Sequence, residues 1–289
     1  VTVGFVGLGN MGSVLAGNLV RCGHDVLAFD LAGADRLPDG ATFAASVAAM
    51  ARDAGVVVLS LPDGAASRAV AGQIVTAEDR CVTHVVDTST IGVDAAMELD
   101  ALLADAGIAY VDAPVSGGVA GARARTLAVM YAARRDACEH VEPVLAGLSD
   151  SRYCVGDRPG MAQALKLANN FLSATALAAT SEAIAFGLSV GLDMATMLEV
   201  LDVSSGRSSA TADKFPNHVL TGRYASGFTN SLMVKDVGLY LRSVEDQGGP
   251  DAIGRVTAAV WKAFAGAEPG VDFTRIFPYL NDRVEGSGA

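Results

Sequence analysis

"VTVGFVGLGNMG", residues 1–12, decides how the rest of the chain is read. Its first half is apolar enough for a strand, and its second half sets Gly7, Gly9 and Gly12 in the spacing G-x-G-x-x-G. In a strand-to-helix turn each glycine has its own job. The first permits the tight turn, the second lets backbone amides approach a pyrophosphate, and the third lets helix and strand pack closely. Leu8, Asn10 and Met11 complete this candidate dinucleotide loop. A plain glycine-rich turn would look the same, so the next carboxylate matters. Asp30 closes the second candidate strand, 18 residues after Gly12, where a carboxylate accepts hydrogen bonds from a ribose diol. It also repels a 2′-phosphate, and Leu31 and Ala32 offer no phosphate clamp, so the expected cofactor is NAD rather than NADP. Arg36 reads as a solvated surface arginine.

Outward from this loop, short β-branched runs alternate with alanine-rich stretches. Candidate strands are residues 3–6, 26–29, 56–60, 84–87, 109–113 and 127–132. Several are continuous apolar runs, as strands covered on both faces require, with crossovers mostly long enough for helices. The fold class is α/β: an N-terminal doubly wound Rossmann sheet, then an all-helical C-terminal domain. Strand signals fade after "GDRPG", residues 156–160, which divides the chain into a dinucleotide-binding domain over 1–160 and a helical substrate-binding and oligomerisation domain over 161–289. Within the latter, "GLD" caps "MATMLEVL" and "FTN" caps "SLMVKDVGLYLRSVEDQ". The closing "GSGA" is expected to fray. Residues 171–192 are long enough for a bilayer, but their Ser, Thr and Glu182 favour a long helix, 161 to about 190, buried among other helices. Its many apolar and small faces suggest a homodimer or homotetramer with helices packed between subunits.

Composition narrows the partners. With 32 acidic against 21 basic residues the net charge is -11, which disfavours nucleic acid and anionic membrane surfaces. Cys22, Cys81, Cys138 and Cys154 are widely spaced, and His24, His84, His140 and His218 show no ligand spacing, so neither a disulfide scaffold nor a metal site is expected. With no basic leader or cleavage pattern ahead of the first strand, a cytoplasmic protein is expected. "GLSVG", residues 187–191, spells a nucleophile elbow but sits at a helix end rather than a strand-to-helix turn.

"GMAQALKLANN", residues 160–170, sets one lysine inside an apolar run. A buried ammonium must be paired, be neutralised, or serve proton transfer. Lys166 and Asn170 are spaced i, i+4 on one helix face, with Asn169 alongside, so an amide can hold a substrate oxygen within reach of the amine. In "VSGG", Ser116 supplies a hydroxyl, and Gly117 and Gly118 expose backbone amides to an approaching carboxylate. Arg207, in the polar turn "SSGRSS", is a further candidate contact for an anionic substrate, whereas Arg123 and Arg125 read as solvated.

In order, "GFVGLGNMG", "DTSTI" (87–91), "DAPVSGG" (112–118), "KLANN" (166–170) and "LMVKDVGL" (232–239) make the chain resemble the β-hydroxyacid dehydrogenases, the family of 3-hydroxyisobutyrate dehydrogenase and tartronate semialdehyde reductase, within the 6-phosphogluconate dehydrogenase superfamily. The resemblance runs over nearly the whole chain. It implies NAD-dependent oxidation of a small anionic 3-hydroxy acid, or the reverse reduction, with Lys166 as acid or base. It further implies that Ser116, Gly117 and Gly118 cradle the substrate carboxylate, that Asn170 orients the substrate, that Ser89, Thr90, Phe228 and Lys235 lie near the nicotinamide, and that Leu61 and Pro62 line the cofactor's ribose. Asp236 reads as a structural partner of nearby cations. Two alternatives stay open: a related superfamily reductase acting on another substrate, and a silent dinucleotide-binding assembly module. Two positions depart from the family pattern, Ala162 and Arg125, each where glycine is usual.

Overall fold

Strands apolar on both faces are stable only where both faces are covered, and in the computed structural model helices cover them. The structure describes residues 2–286; residues 287–289 of the closing "GSGA" lie outside them. Among the described residues the strands are β1 (Thr2–Val6), β2 (Asp25–Phe29), β3 (Thr42–Phe43), β4 (Val56–Leu59), β5 (His84–Asp87), β6 (Ala109–Asp112), β7 (Val115–Ser116), β8 (Ala128–Ala132) and β9 (Ser151–Gly156). They form one sheet ordered β3-β2-β1-β4-β5-β6-β8-β7, with β9 beside β8. Strands β1 to β6 pair in parallel, and β8 runs antiparallel to β6 and β7. All six expected strands are present; β3, β7 and β9 were not expected. Two of these are two-residue strands, and β9, "SRYCVG", is a half-exposed edge whose polar residues carry no buried-strand pattern.

The helices of this half are α1 (Gly12–Arg21), α2 (Val47–Asp53), α3 (Gly64–Val75), α4 (Val93–Ala104), α5 (Gly118–Ala124) and α6 (Arg135–Leu148). One sheet face packs Val3, Phe5 and Val58 against Leu15 and Leu19 of α1 and Val141 and Leu145 of α6. The other packs Val57, Leu59 and Val85 against Met50 of α2, Ile74 of α3 and Leu99 of α4. Chain order reverses at β1, which lies between β2 and β4, so the turns after β1 and β4 flank the crevice where such sheets take ligands.

The chain divides into two compact units, Val1–Lys166 and Leu167–Ala289, with the division inside helix α7 (Met161–Ser189). The second unit holds the rest of α7, then α8 (Met194–Asp202), a wide-turned segment Ala210–Val219, α9 (Asn230–Asp246), α10 (Ala252–Ala267), one 3-10 turn (Phe273–Arg275) and α11 (Ile276–Gly286). Its core gathers Leu177, Ile184, Phe215, Trp261, Phe264 and Phe273, and the Trp261 indole donates to the Ala174 carbonyl at 3.2 Å. The expected caps hold: Asp193 accepts from the Thr196 amide at 2.9 Å and Thr229 from the Leu232 amide at 3.3 Å. Helix α7 differs from expectation in being buried along one side only. Leu172 and Phe186 are 64% and 71% exposed, because so long a helix offers more apolar surface than its neighbours cover. Gly187, within "GLSVG", lies inside α7 and leaves room for Met197 of α8, where a Cβ would collide.

Arg125 is a correction to the sequence reading: it is not solvated. Its backbone sits at φ 59°, left-handed, which explains why glycine is usual there. The guanidinium donates to the Gly147 and Ala146 carbonyls at 2.8 Å, capping the end of α6, and to Asp150 at 2.8 Å. The strain, about 1 kcal/mol, is thereby offset by charge-assisted bonds. Arg125→Ala is expected to cost about 2 kcal/mol in urea denaturation and Arg125→Gly about 1 kcal/mol less, because only glycine releases the strain. At the other departure, the Ala162 methyl is fully buried against Met130 and Ala132, in helix geometry that does not need glycine.

At the opposite, N-terminal end of β5, His84 stacks on His140 with ring centroids 3.9 Å apart. Burial, and next the charge of His140, hold the His84 imidazole down at about 4 against the opposing pull of Asp136. An unfolded chain protonates this ring below about pH 6.5, whereas the folded chain waits until about 4, so stability falls as pH drops through that window. With the ring part-exposed, the expected loss between pH 7 and pH 5 is on the order of 1 kcal/mol, and thermal melts of His84→Gln should lack that share of it.

Candidate active site

The glycine loop follows β1 directly. Gly7 has φ 100°, and a Cβ there would run into the Ser60 carbonyl; one on Gly12 would run into the Gly7 carbonyl. Nothing lies within 4 Å of where a Gly9 Cβ would be, so the exposed backbone there is open to an incoming group. The first turn of α1 carries neither an acidic side chain nor a side-chain cap, which suits an anion. Asp30 is fixed against this loop: one carboxylate oxygen accepts from the Leu8 amide at 2.5 Å, the other from the Ala32 amide at 2.7 Å. Each oxygen keeps a lone pair for a diol. These residues fit a dinucleotide. Arg36 turns back to the loop, donating to Asn10 Oδ1 at 3.1 Å from an exposed position, instead of standing free in solvent.

The turns after β4 and β5 meet. The Leu61 amide donates to the Ser89 hydroxyl at 2.8 Å, and the Thr88 hydroxyl donates to the Leu59 carbonyl at 2.6 Å. Thr90 is half-buried beside Ser89, and Pro62 follows Leu61. Ser116 ends β7; Gly117 and Gly118 follow at φ 132° and 68° with their backbone exposed at the start of α5.

Lys166 is 8% exposed on α7. One turn earlier the fully buried Gln163 side chain accepts from the Ile91 and Gly92 amides at 2.9 and 3.1 Å. It donates to the Ser89 carbonyl at 3.0 Å and to Asp112 at 2.7 Å. The start of the lysine helix is thus fastened to the loop that carries Ser89 and to the end of β6, four residues before Ser116. Asp112, itself fully buried, also accepts from the Gly160 and Gln163 amides, both at 3.0 Å. Burial raises its carboxyl to about 6 despite these bonds, and Asp87, its register partner on β5, adds to the rise. Asp87 is likewise pushed up by burial while accepting from the Ser89 amide at 2.9 Å. Sequence reasoning did not single out Gln163 or Asp112. Their contact spans 51 positions, and the one local sign was a polar residue inside an apolar helix start.

In the helical unit, the Asn170 amide donates to buried Asp236 at 2.6 Å, Lys235 pairs with the same carboxylate at 3.3 Å, and Asn169 donates to Asn170 at 3.1 Å. Asp236 is therefore a structural partner of Lys235 and Asn170. Phe228 packs edge-on against Phe273, centroids 5.6 Å apart, and Arg207 pairs with Asp202 at 3.2 Å on an exposed turn. Two cavities in the first unit, about 810 Å³ between β8, β9 and α6 and about 620 Å³ beside α1, contain none of the residues singled out for chemistry.

A glycine loop at the switch point of a parallel sheet, with a carboxylate at the end of the neighbouring strand, defines a dinucleotide-binding half. Residues 2–156 match the family model for the NAD binding domain of 6-phosphogluconate dehydrogenase, and residues 160–280 that for the NAD-binding region of NADP-dependent 3-hydroxyisobutyrate dehydrogenase. Among similar proteins, 2-(hydroxymethyl)glutarate dehydrogenase of Eubacterium barkeri is 35% identical over 86% of this chain and 84% of its own length. The 3-hydroxyisobutyrate dehydrogenase of Pseudomonas aeruginosa is 33% identical over 95% and 96%. The solved structure of the Mycobacterium tuberculosis 3-hydroxyisobutyrate dehydrogenase with L-serine superposes with a TM-score of 0.87 at 31% identity, covering 96% of this chain and 98% of that one. The chain belongs to the 3-hydroxyisobutyrate dehydrogenase family and is a nicotinamide-dependent dehydrogenase.

Proposed function

We propose that the protein oxidises a small 3-hydroxy acid to its semialdehyde or keto acid with NAD, or runs the reverse reduction, with Lys166 moving the proton. The observation that carries this reading is a lysine buried on a helix whose first turn is fastened to the ligand-facing ends of β5 and β6. NAD, when bound, supplies the hydride acceptor. Gly7 to Gly12 would hold its pyrophosphate and Asp30 its ribose, and Leu61, Pro62, Ser89 and Thr90 would line its path; Phe228 and Lys235 are further candidates by family resemblance. The Ser116 hydroxyl and the Gly117 and Gly118 amides take the substrate carboxylate. Asn170, held by Asp236, presents its remaining amide hydrogen and carbonyl lone pair to the substrate, with Asn169 beside it. The neutral Lys166 amine accepts the hydroxyl proton as the C–H bond breaks and returns it in reduction. Arg207 would have to leave Asp202 to contact an anion. In this reading residues 1–160 bind the cofactor and 161–289 contribute substrate contacts and subunit packing.

The small substrate class is supported by the relatives' activities and by the L-serine in the M. tuberculosis structure. Initial rates with NAD across 3-hydroxyisobutyrate, glycerate, L-serine and 2-(hydroxymethyl)glutarate test it. Turnover of at least one is expected. NAD binding without turnover of any 3-hydroxy acid would favour the silent assembly module instead. A cytoplasmic homodimer or homotetramer accompanies the reading, supported by the uncovered apolar side of α7. Phe186→Glu is expected to lower the sedimenting mass, and a wild-type chain that sediments as a monomer would refute it.

A further inference from the structure

We propose that Asp112 and Gln163 are positioning residues for Lys166, acting as one polarised hydrogen-bond relay that fixes the start of the lysine helix on the cofactor-binding sheet. Helix α7 begins after Gly160, which has no side chain to cap the first amides. Asp112 caps them from β6: one carboxylate oxygen accepts from the amides of Gly160 and Gln163, each at 3.0 Å. Its charge also suits the positive end of the helix. The other oxygen accepts from Gln163 Nε2 at 2.7 Å, and Nε2 also reaches the Ser89 carbonyl at 3.0 Å. Gln163 Oε1 meanwhile accepts from two amides, Ile91 and Gly92.

The direction of this relay is fixed at both ends. Backbone N–H groups face Asp112 at one end and Gln163 Oε1 at the other, so the Gln163 amide cannot flip without opposing donor to donor and acceptor to acceptor. Lys166 stands three residues beyond Gln163 on the same helix, so what sets Gln163 sets the lysine's height and rotation over the loop holding Ser89. A displacement of about 1 Å is enough to cost a proton-transfer site on the order of 100-fold in rate.

Two amides or two carboxylates in this pair should therefore fail where one of each works. Asp112→Asn places an amide against the Gln163 amide, and Gln163→Glu places a carboxylate against Asp112. The double variant Asp112→Asn/Gln163→Glu restores a donor facing an acceptor, keeps the single negative charge and keeps acceptors toward all four backbone amides, while a carboxylate oxygen now faces the Ser89 carbonyl in place of the lost bond, which makes the rescue partial. The proposal rests on the lysine reading, so Lys166→Ala is measured alongside, all rates being expressed per NAD-binding site. Each single variant is expected to lower kcat at least about 10-fold with KM for NAD changed less than about 3-fold, and the double variant to recover at least about 3-fold of that loss over the worse single. A single variant that fails to fold is judged through the double: recovery of active enzyme supports the relay, and no recovery overturns it. Single variants with wild-type kcat, or a double variant no better than the worse single, overturn the relay while an inactive Lys166→Ala leaves the lysine reading standing. An active Lys166→Ala overturns both.

Discussion

Lys166→Ala is expected to lower kcat by about 10²- to 10⁴-fold, the usual worth of a positioned general acid or base, while the dissociation constant for NAD changes less than about 2-fold. The two effects separate because the proposed cofactor contacts lie on the glycine loop and Asp30, whereas Lys166 sits on α7. Equilibrium NAD titration with steady-state rates on the same preparation checks both halves. A kcat within a few-fold of wild type would end the lysine mechanism; a lost NAD affinity would mean that the residue supports the cofactor rather than the proton.

Asp30→Ala should shift the ratio of kcat/KM for NAD over NADP by about 10²-fold toward NADP. Two contributions add. The ribose loses hydrogen bonds to a charged acceptor, about 1.5–3 kcal/mol, and the repulsion of a 2′-phosphate disappears. Arg36, already turned to Asn10 of the loop, is then a cation available to that phosphate. The Leu8 and Ala32 amides lose their acceptor as well, so some loss of stability accompanies the switch, and Asp30→Asn, which keeps one acceptor oxygen, separates the two effects. An unchanged ratio would remove Asp30 as the discriminating group.

What could be read from sequence follows from how each signal is encoded. Strands such as "VVVL" announce themselves because a run buried on both faces must be continuously apolar, and all four residues of β4 are buried. Edge strand β9 gives no such sign, since its exposure without a buried face makes it resemble a loop. The glycine loop and Asp30 were legible because a turn, a close approach and a ribose each demand a residue type at a fixed spacing. The place of Lys166 and Asn170 one turn apart on a single helix was legible from their i, i+4 spacing. Gln163 and Asp112 were not, because their bond is made by tertiary folding and leaves no periodic trace. Arg125 shows the intermediate case: the missing glycine was visible, but only the left-handed backbone and the carbonyls of α6 show what the arginine does in its place.

The most direct test of the central claim is kcat/KM for 3-hydroxy acid oxidation with NAD as a function of pH, in wild type and Lys166→Ala. The wild type should rise with pH as the amine becomes neutral, and the residual rate of the variant should lack that limb. The same limb persisting in the variant, at a rate near wild type, would show that another group takes the proton.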